Sequence, residues 1–306
     1  MGTGDRTRTS TCPRSCAMAT EQGSTAPAAA RRALDEVRLI AEAAGEHVRR
    51  AADSELGVAR KTESHRLDIV TRVDLEVEQL VCDAIREVSP DATIIAEERG
   101  LEQAADLDSD RHEEGPEAFD VLGRRGVDSI EDLWLVDPLD GTVNYAHGIP
   151  LCAVSIARYS RGRHVASAIH APMLGEAYEV AEGGPATCNG DTIRVSSRTE
   201  LEECLLAVGS THHPLVREVT RPCLGWRRIG SAAISFAYVA CGRFDAYLQL
   251  GRLAPWDYAA GVPLVRAAGG TISEFIDRRW QDPVWRPASV VAATPYLREQ
   301  VVSIPH

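Results

Sequence analysis

The stretch Trp134-Leu135-Val136-Asp137-Pro138-Leu139-Asp140-Gly141-Thr142-Val143-Asn144-Tyr145 decides how the chain is read. An apolar run of this kind forms a buried strand. Pro138 fixes φ and Gly141 permits a tight bend, so the strand is expected to end at Asp137. Asp137 and Asp140 then sit together at one strand end. Hard carboxylate oxygens so placed suit Mg²⁺, and if a helix starts at Gly141 and Thr142, their N–H groups suit a phosphate oxygen. Taken alone, the stretch also reads as a surface turn, because Asp-Pro and Asp-Gly are common turn formers.

Three further segments weigh against the turn. Asp68-Ile-Val-Thr71-Arg-Val-Asp74 leads into an amphipathic helix to about Glu87. Thr93-Ile-Ile-Ala-Glu97-Glu98 is a short β-branched run that delivers a pair of acids at its end. In Ala254-Pro-Trp256-Asp257-Tyr-Ala-Ala-Gly261, Asp257 stands at the start of an apolar helix expected to end near Gly269-Gly270. Each has an innocent reading, Asp74 and Asp257 as helix N-caps and Glu97 and Glu98 as a solvated strand end. Hydrolysis of a phosphate monoester gives them a common purpose. Two metal ions about 4 Å apart activate water and neutralise the leaving oxygen, so bridging carboxylates must converge. Asp137, ending a central strand between other acids, is the natural bridge.

These four segments, in this order, resemble the inositol monophosphatase family of Mg²⁺-dependent, typically lithium-sensitive phosphatases. The carrying motifs are the Asp-x-Val-Thr-x-x-Asp of residues 68–74, Glu97-Glu98, Asp137-Pro-Leu-Asp-Gly-Thr142, and Trp256-Asp257 with Gly269-Gly270 beyond. Arg228-Ile-Gly230-Ser231-Ala232-Ala233, running on to Asp245-Ala-Tyr247, resembles the helix and strand that precede the family's last ligand. Coverage runs from about residue 33 to the carboxyl terminus.

The resemblance implies two or three Mg²⁺ ions. Glu97, Asp137 and the carbonyl of Leu139 would hold the first, and Asp137, Asp140 and Asp257 the second. Glu98 would stand behind Glu97. Thr142 and Asp74 would form the pair that orients the attacking water, with Gly141 and Thr142 on the phosphate. A helix cap is the alternative reading of Thr142. His147 and His170 are read as structural, because neither holds a family catalytic position and metal-activated water needs no histidine base.

Composition agrees. The chain has 306 residues, more than the usual domain of roughly 100–150, so two lobes are expected. A formal charge of −12 argues against a nucleic-acid surface, which needs clustered Lys and Arg. It also weighs against a two-metal nuclease. The eight cysteines, at 12, 16, 82, 152, 188, 204, 223 and 241, contain no Cys-x-x-Cys pair and read as reduced residues of a cytosolic protein. No segment has the apolar length to cross a membrane, and no apolar signal core occupies the first thirty residues.

Residues 1–32 are therefore expected to be a disordered tail, residues 33–185 an α+β lobe carrying most ligands, and residues 186–306 an α/β lobe. Leu34 to about Leu56 has helical spacing, as does Val73 to Val88. Residues 59–66 would be a mobile loop, and 99–132 a flexible acidic insertion. Strands are expected near 133–137, 151–159, 164–171 and 176–182, with a hairpin turn at Asn189-Gly190. The second half alternates strand and helix, which reads as α/β layers. By resemblance the fold is the layered αβαβα sandwich of the inositol monophosphatase and fructose-1,6-bisphosphatase type, and a homodimer.

Substrate choice rests on Tyr247-Leu-Gln249-Leu250-Gly251-Arg252-Leu253-Ala254-Pro255. Inositol-selective relatives carry a glutamate shortly before Trp-Asp. Here the segment is one residue longer than the common pattern, and either Gln249 or Leu250 takes that place. Neither is acidic. The substrate-binding set is thus Asp140, Ser231, Ala232, Gln249 and Asp257, with Arg228 available nearby. The expected function is Mg²⁺-dependent hydrolysis of a small alcohol phosphate, with inositol monophosphate first, histidinol phosphate second and fructose bisphosphate more remote. A regulatory binding protein on a phosphatase-like fold is the alternative of another class; it predicts lost ligands, and all of the acids are present.

Overall fold

The computed structural model of the protein describes residues 26–52, 57, 59–60, 69–102, 127–209, 214–250, 253–273 and 289–302. Residues 1–25 of the expected tail, the stretch 61–68 with Asp68, most of the acidic insertion (103–126) and residues 251–252 before the Trp-Asp motif lie outside them.

Helix α1 (Ala28–Ala51) buries Val37, Ile40, Ala41, Ala44 and Val48 at helical spacing. It starts six residues before the first periodic apolar position because the Ala-Arg run ahead of Leu34 is itself strongly helix-forming. Residues 28–32, expected in the tail, are its opening turn. A small antiparallel pair, β1 (Ala59–Arg60) and β2 (Ile69–Val70), leads to helix α2 (Arg72–Val88). The cap of α2 is Thr71, with Asp74 at the third helical position completing a capping box, so Asp74 is not itself the N-cap.

The first sheet contains β3 (Thr93–Ala96), β4 (Gly100–Glu102), β5 (Leu133–Asp140), β6 (Ala153–Ser160), β7 (Arg163–Ala171), β8 (Glu176–Ala181), β9 (Thr187–Cys188) and β10 (Asp191–Thr192). Their order is β10-β9-β8-β7-β6-β5-β3-β4; β3 and β5 are parallel and the other pairs antiparallel. The expected turn at Asn189-Gly190 joins β9 to β10, with both residues at positive φ. Helix α3 (Thr142–Ala146) follows β5 directly.

The second sheet contains β11 (Leu205–Val208), β12 (Gly225–Arg227), β13 (Ala246–Leu250), β14 (Thr271–Ser273) and β15 (Ser289–Ala293), in the order β12-β11-β13-β15-β14. Between and around these strands lie α4 (Pro214–Thr220), α5 (Ala232–Ala240), α6 (Pro255–Tyr258), α7 (Gly261–Ala267) and α8 (Pro295–Val302). The single helix expected over 257–268 is broken at Ala259-Ala260 into α6 and α7. Gly261 opens α7 hard against Phe236 of α5, where an added Cβ would come within 2.4 Å of the ring.

Side-chain alternation along the strands stacks these elements into five layers. In β5, Trp134 and Val136 face α1 and α2 together with Val37, Val48, Val77 and Val81. Leu133 and Leu135 face the other way, into a core shared with Phe236 and Val239 of α5, Leu264 and Val265 of α7, and Tyr247 and Ala292 of the second sheet. The outer face of that sheet, through Leu206, Val208 and Leu248, packs on Val216 and Val219 of α4 and Leu297 of α8. The result is the expected αβαβα sandwich. The six described cysteines are free. Among the described residues no helix is long and apolar enough to cross a membrane.

Candidate active site

Strand β5 does not stop at Asp137. It runs through Pro138 to Asp140, and its register against β6 shifts: Asp137 pairs with Ser155 but Asp140 with Ala153. The strand therefore carries one extra residue between the two acids. In a regular strand, residues three apart face opposite sides; a one-residue bulge returns them to the same side. Pro138, which has no N–H for a ladder, is tolerated in such a bulge. Ligand oxygens of Asp137, Asp140 and Asp257 consequently lie within 4.8 Å of one another.

Asp140 is tied to the start of α5. Ser231 Oγ donates to its Oδ2 at 2.5 Å, Ala233 N to the same oxygen at 2.6 Å and Ala232 N to Oδ1 at 3.2 Å. A carboxylate offers about four lone-pair sites, so three are used and one is left. Ser231 also caps α5 by accepting from Ile234 N at 3.1 Å. Asp257, half-buried at the third position of α6, accepts from Ala254 N at 2.7 Å, which presents its carboxylate at the helix start.

Asp74 reaches the same place from α2. Its Oδ2 accepts from Thr71 N at 2.8 Å and Thr71 Oγ at 2.5 Å, while Oδ1 accepts from Thr142 Oγ at 2.9 Å. The Thr142 hydroxyl lies 3.0 Å from the carbonyl oxygen of Leu139 as well. One proton cannot serve both acceptors fully, so when it points to Asp74 the lone pairs of Thr142 and the Leu139 carbonyl face each other across the gap. The N-cap of α3 is Gly141, not Thr142. Gly141 holds φ at 91°, and a Cβ there would stand 2.8 Å from the Leu151 carbonyl. Asn144 bridges that loop to the second half of the chain, donating to Leu151 O at 2.7 Å and Ile229 O at 2.9 Å.

Burial and mutual repulsion dominate the electrostatics. Asp137 is 1% exposed, and its carboxyl is pushed well above the usual range by burial first and then by the charges of Glu97, Asp140 and Asp257. Burial pushes Asp140 up to about 6 against the opposing hydrogen bonds from Ser231, Ala233 and Ala232. Asp74 is raised by burial, which outweighs its bonds to Thr71 and Thr142, with the Glu97 charge adding to the rise.

A cavity of about 200 Å³ opens beside the acids, bounded by Arg228, Ser231, Ala232, Tyr247, Gln249 and Asp257. The alternation of β13 settles which residue faces it. Leu248 and Leu250 point to the outer core, whereas Tyr247 and Gln249 point inward. His147 is exposed at the end of α3, and His170 lies against Gly45 of α1 with its pKa lowered by burial.

Comparison with known proteins agrees with this geometry. The family model described as the inositol monophosphatase family matches residues 31–304. The chain belongs to the inositol monophosphatase family. It is 37% identical over 211 residues to the "Fructose-1,6-bisphosphatase/inositol-1-monophosphatase" of Thermotoga maritima, covering 68% of this chain and 72% of that one. It is 36% identical over 217 residues to "Nus factor SuhB" of Escherichia coli, with coverages of 68% and 72%. Its fold superposes on the Thermotoga maritima IMPase structure with a TM-score of 0.74 at 30% identity, covering 89% of this chain and 96% of that one.

Inositol monophosphatase family members are metal-dependent phosphomonoesterases, and so is this protein by membership. The residues present fit a hard cation. The grouped donors are all carboxylate oxygens, and the strongest influences on the buried Asp137 are burial and three acids, with no cation among them. Such a group is unfavourable until positive charge arrives. Two features escaped the sequence reading. Tyr247 shares the cavity wall with Asp257, and the charges of Asp257 and Asp140 add to the burial that raises its phenol; its two-residue spacing from Gln249, which puts both on one face of β13, was the available signal. Glu78, wholly buried on α2, had no signal beyond being an acid on an apolar helix face.

Proposed function

We propose that the protein hydrolyses a small polyol or amino-alcohol phosphate, inositol monophosphate foremost, with Mg²⁺ as the cation. One observation carries the reading: Asp137, buried, lies among Glu97, Asp140 and Asp257, a set of acids whose mutual repulsion a divalent cation would relieve. Glu97, Asp137 and the Leu139 carbonyl would hold one ion, and Asp137, Asp140 and Asp257 another. When bound, such ions supply Lewis-acid polarisation of the phosphoryl oxygens and acidify water. The amides of Gly141 and Thr142 offer donors to the phosphate. Asp74, holding the Thr142 hydroxyl proton, turns the lone pairs of that oxygen toward the incoming water and so orients it. Ser231, Ala232 and Gln249 offer hydrogen bonds to the alcohol.

Two features of the cavity bear on the alcohol. Gln249 accepts a hydrogen bond from Tyr247 at 3.3 Å and is neutral where inositol-selective relatives carry an acid. Arg228, exposed on the cavity wall, would suit a second anionic group. That favours a sugar bisphosphate as the second reading, consistent with the name of the Thermotoga maritima relative. Histidinol phosphate is third, since its ammonium group would meet Arg228. The name "Nus factor" carried by the SuhB relatives speaks for a role in binding, and this chain retains the complete acid set beside any such role. By resemblance alone, the reading includes a cytoplasmic homodimer inhibited by Li⁺.

The deciding experiment is a phosphate-release screen over inositol monophosphates, fructose 1,6-bisphosphate and histidinol phosphate, with and without Mg²⁺. Highest kcat/KM on an inositol monophosphate, abolished by chelation, is the expected result. Equal turnover after chelation would overturn it.

A further inference from the structure

Glu78 lies wholly buried on α2, one helical turn beyond Asp74 and on the same face. Its companions on that face are Val77, Val81 and Ile85, so an apolar residue would fit the layer. Instead a carboxylate stands there, and its Oε2 accepts the backbone N–H of Glu98 at 2.7 Å. Its other oxygen lies 3.5 Å from the Arg99 guanidinium, itself bonded to Gln79 on the same helix. A buried carboxylate is costly unless it is hydrogen-bonded and paired, which makes this contact a specific feature of the strand end it grips.

The gripped peptide is the one that follows Glu97. The N–H of Glu97 donates to Val136 O of β5 at 3.2 Å, and the next N–H donates to Glu78. With both flanking amides fixed, φ and ψ of Glu97 are set, and with them the direction in which its side chain leaves the backbone. Asp74, one turn away, meanwhile holds Thr142 beyond the end of β5. One face of α2 thus fastens both strand ends from which the acid cluster is built.

We propose that Glu78 is a positioning residue that aims the Glu97 carboxylate for cation binding. This rests on Glu97 being a cation ligand, as argued under the proposed function. Groups that orient a ligand typically change metal affinity by about 10–100-fold when lost.

The test is calorimetric titration of the full-length protein with Mg²⁺, alongside thermal unfolding of the metal-free form. Glu78→Met removes the acceptor at similar volume and should weaken Mg²⁺ binding by about tenfold or more. Glu78→Gln keeps an acceptor oxygen and should stay within about threefold, because the neutral amide still bonds the Glu98 N–H. On a Glu97→Gln background, Glu78→Met should add no further loss, since the group being aimed is gone. If Glu78→Met fails to fold, Glu78→Asp, one methylene short of the amide, carries the same expectation. Mg²⁺ affinity unchanged in Glu78→Met or Glu78→Asp, with only the unfolding temperature lowered, would overturn the proposal and leave Glu78 a structural acid. Unchanged affinity in Glu97→Gln alone would instead remove the ligand assignment on which it stands.

Discussion

Ser231 donates its hydroxyl to Asp140 at 2.5 Å, joining two residues 91 positions apart. The contact sits where the bulged end of β5 meets the first turn of α5. Asp140 therefore belongs at once to the acid cluster and to the capping of a helix. Substituting Ser231 by Ala removes both the Asp140 bond and the cap on Ile234. A stability loss of about 1–2 kcal/mol in urea unfolding is expected from the cap alone. Ser231→Thr should restore most of it. Equal stabilities for the wild type and Ser231→Ala would refute the double role.

Asp137→Asn should abolish phosphate release while leaving the fold intact. The Asn oxygen can still accept from Leu139 N, which now donates to Asp137 at 3.1 Å. Removing a buried charge from beside Glu97, Asp140 and Asp257 should also raise the unfolding temperature of the metal-free protein. Normal turnover at saturating Mg²⁺ would sink the assignment of Asp137 as the bridge.

The same acids predict how metal-free stability varies with pH. Asp140 rises from 3.8 to about 6 on folding, and Asp137 is also raised, by burial first and then by its acidic neighbours. Between those limits the folded state binds more protons than the unfolded state, so their contribution to stability falls as pH rises from about 4 through 6 and stays low above it. Unfolding temperature without metal should thus be higher at pH 5 than at pH 8. Added Mg²⁺ should flatten or invert the trend by compensating the ionised acids. A metal-free profile that climbs steadily from pH 5 to 8 would contradict the raised acids.

Gly141→Ala should damage the site sharply. The substitution forces a side chain into φ 91° and places Cβ 2.8 Å from Leu151 O, at the hinge that carries Thr142. A cost of roughly 1–3 kcal/mol is expected from the backbone strain. Turnover should fall with it, because the Thr142–Asp74 bond must shift. Wild-type kinetics and stability together would show that the turn is more yielding than its packing indicates.

Gln249→Glu should lower KM for inositol monophosphate by at most about tenfold, a charge-assisted bond being worth on the order of 1 kcal/mol more than a neutral one. The chemical step should hardly respond, because the contact acts on ground and transition states alike. Proximity to Asp257 on the same cavity wall works against the gain. No change with inositol monophosphate, with weakened binding of fructose 1,6-bisphosphate, would favour the bisphosphate reading.

The elements were legible where local pattern is strong, as in the spaced apolar residues of α1 or the alternation of strand and helix in the second half, whereas the αβαβα layering was read by resemblance. Leu133-Trp134-Leu135-Val136 is one unbroken apolar run, so the sequence does not tell its two faces apart. Asp74, Glu97, Asp137, Asp140, Thr142 and Asp257 were singled out because each follows a strand or opens a helix in a recognisable motif. What local pattern could not supply was relative placement across long separations. Pro138 read as a strand terminator, yet the paired β6 carries the strand past it as a bulge, and that extra residue is what turns Asp137 and Asp140 to one side. The choice between Gln249 and Leu250 depended on which face of β13 meets the cavity, a fact of sheet packing. Glu78 gripping Glu98, and Ser231 reaching Asp140, join residues 20 and 91 positions apart. The residue types and their local elements were thus determined by the sequence. Their convergence was decided by the tertiary structure alone, because hydrogen bonds and burial act between atoms brought together by folding, whatever their distance along the chain.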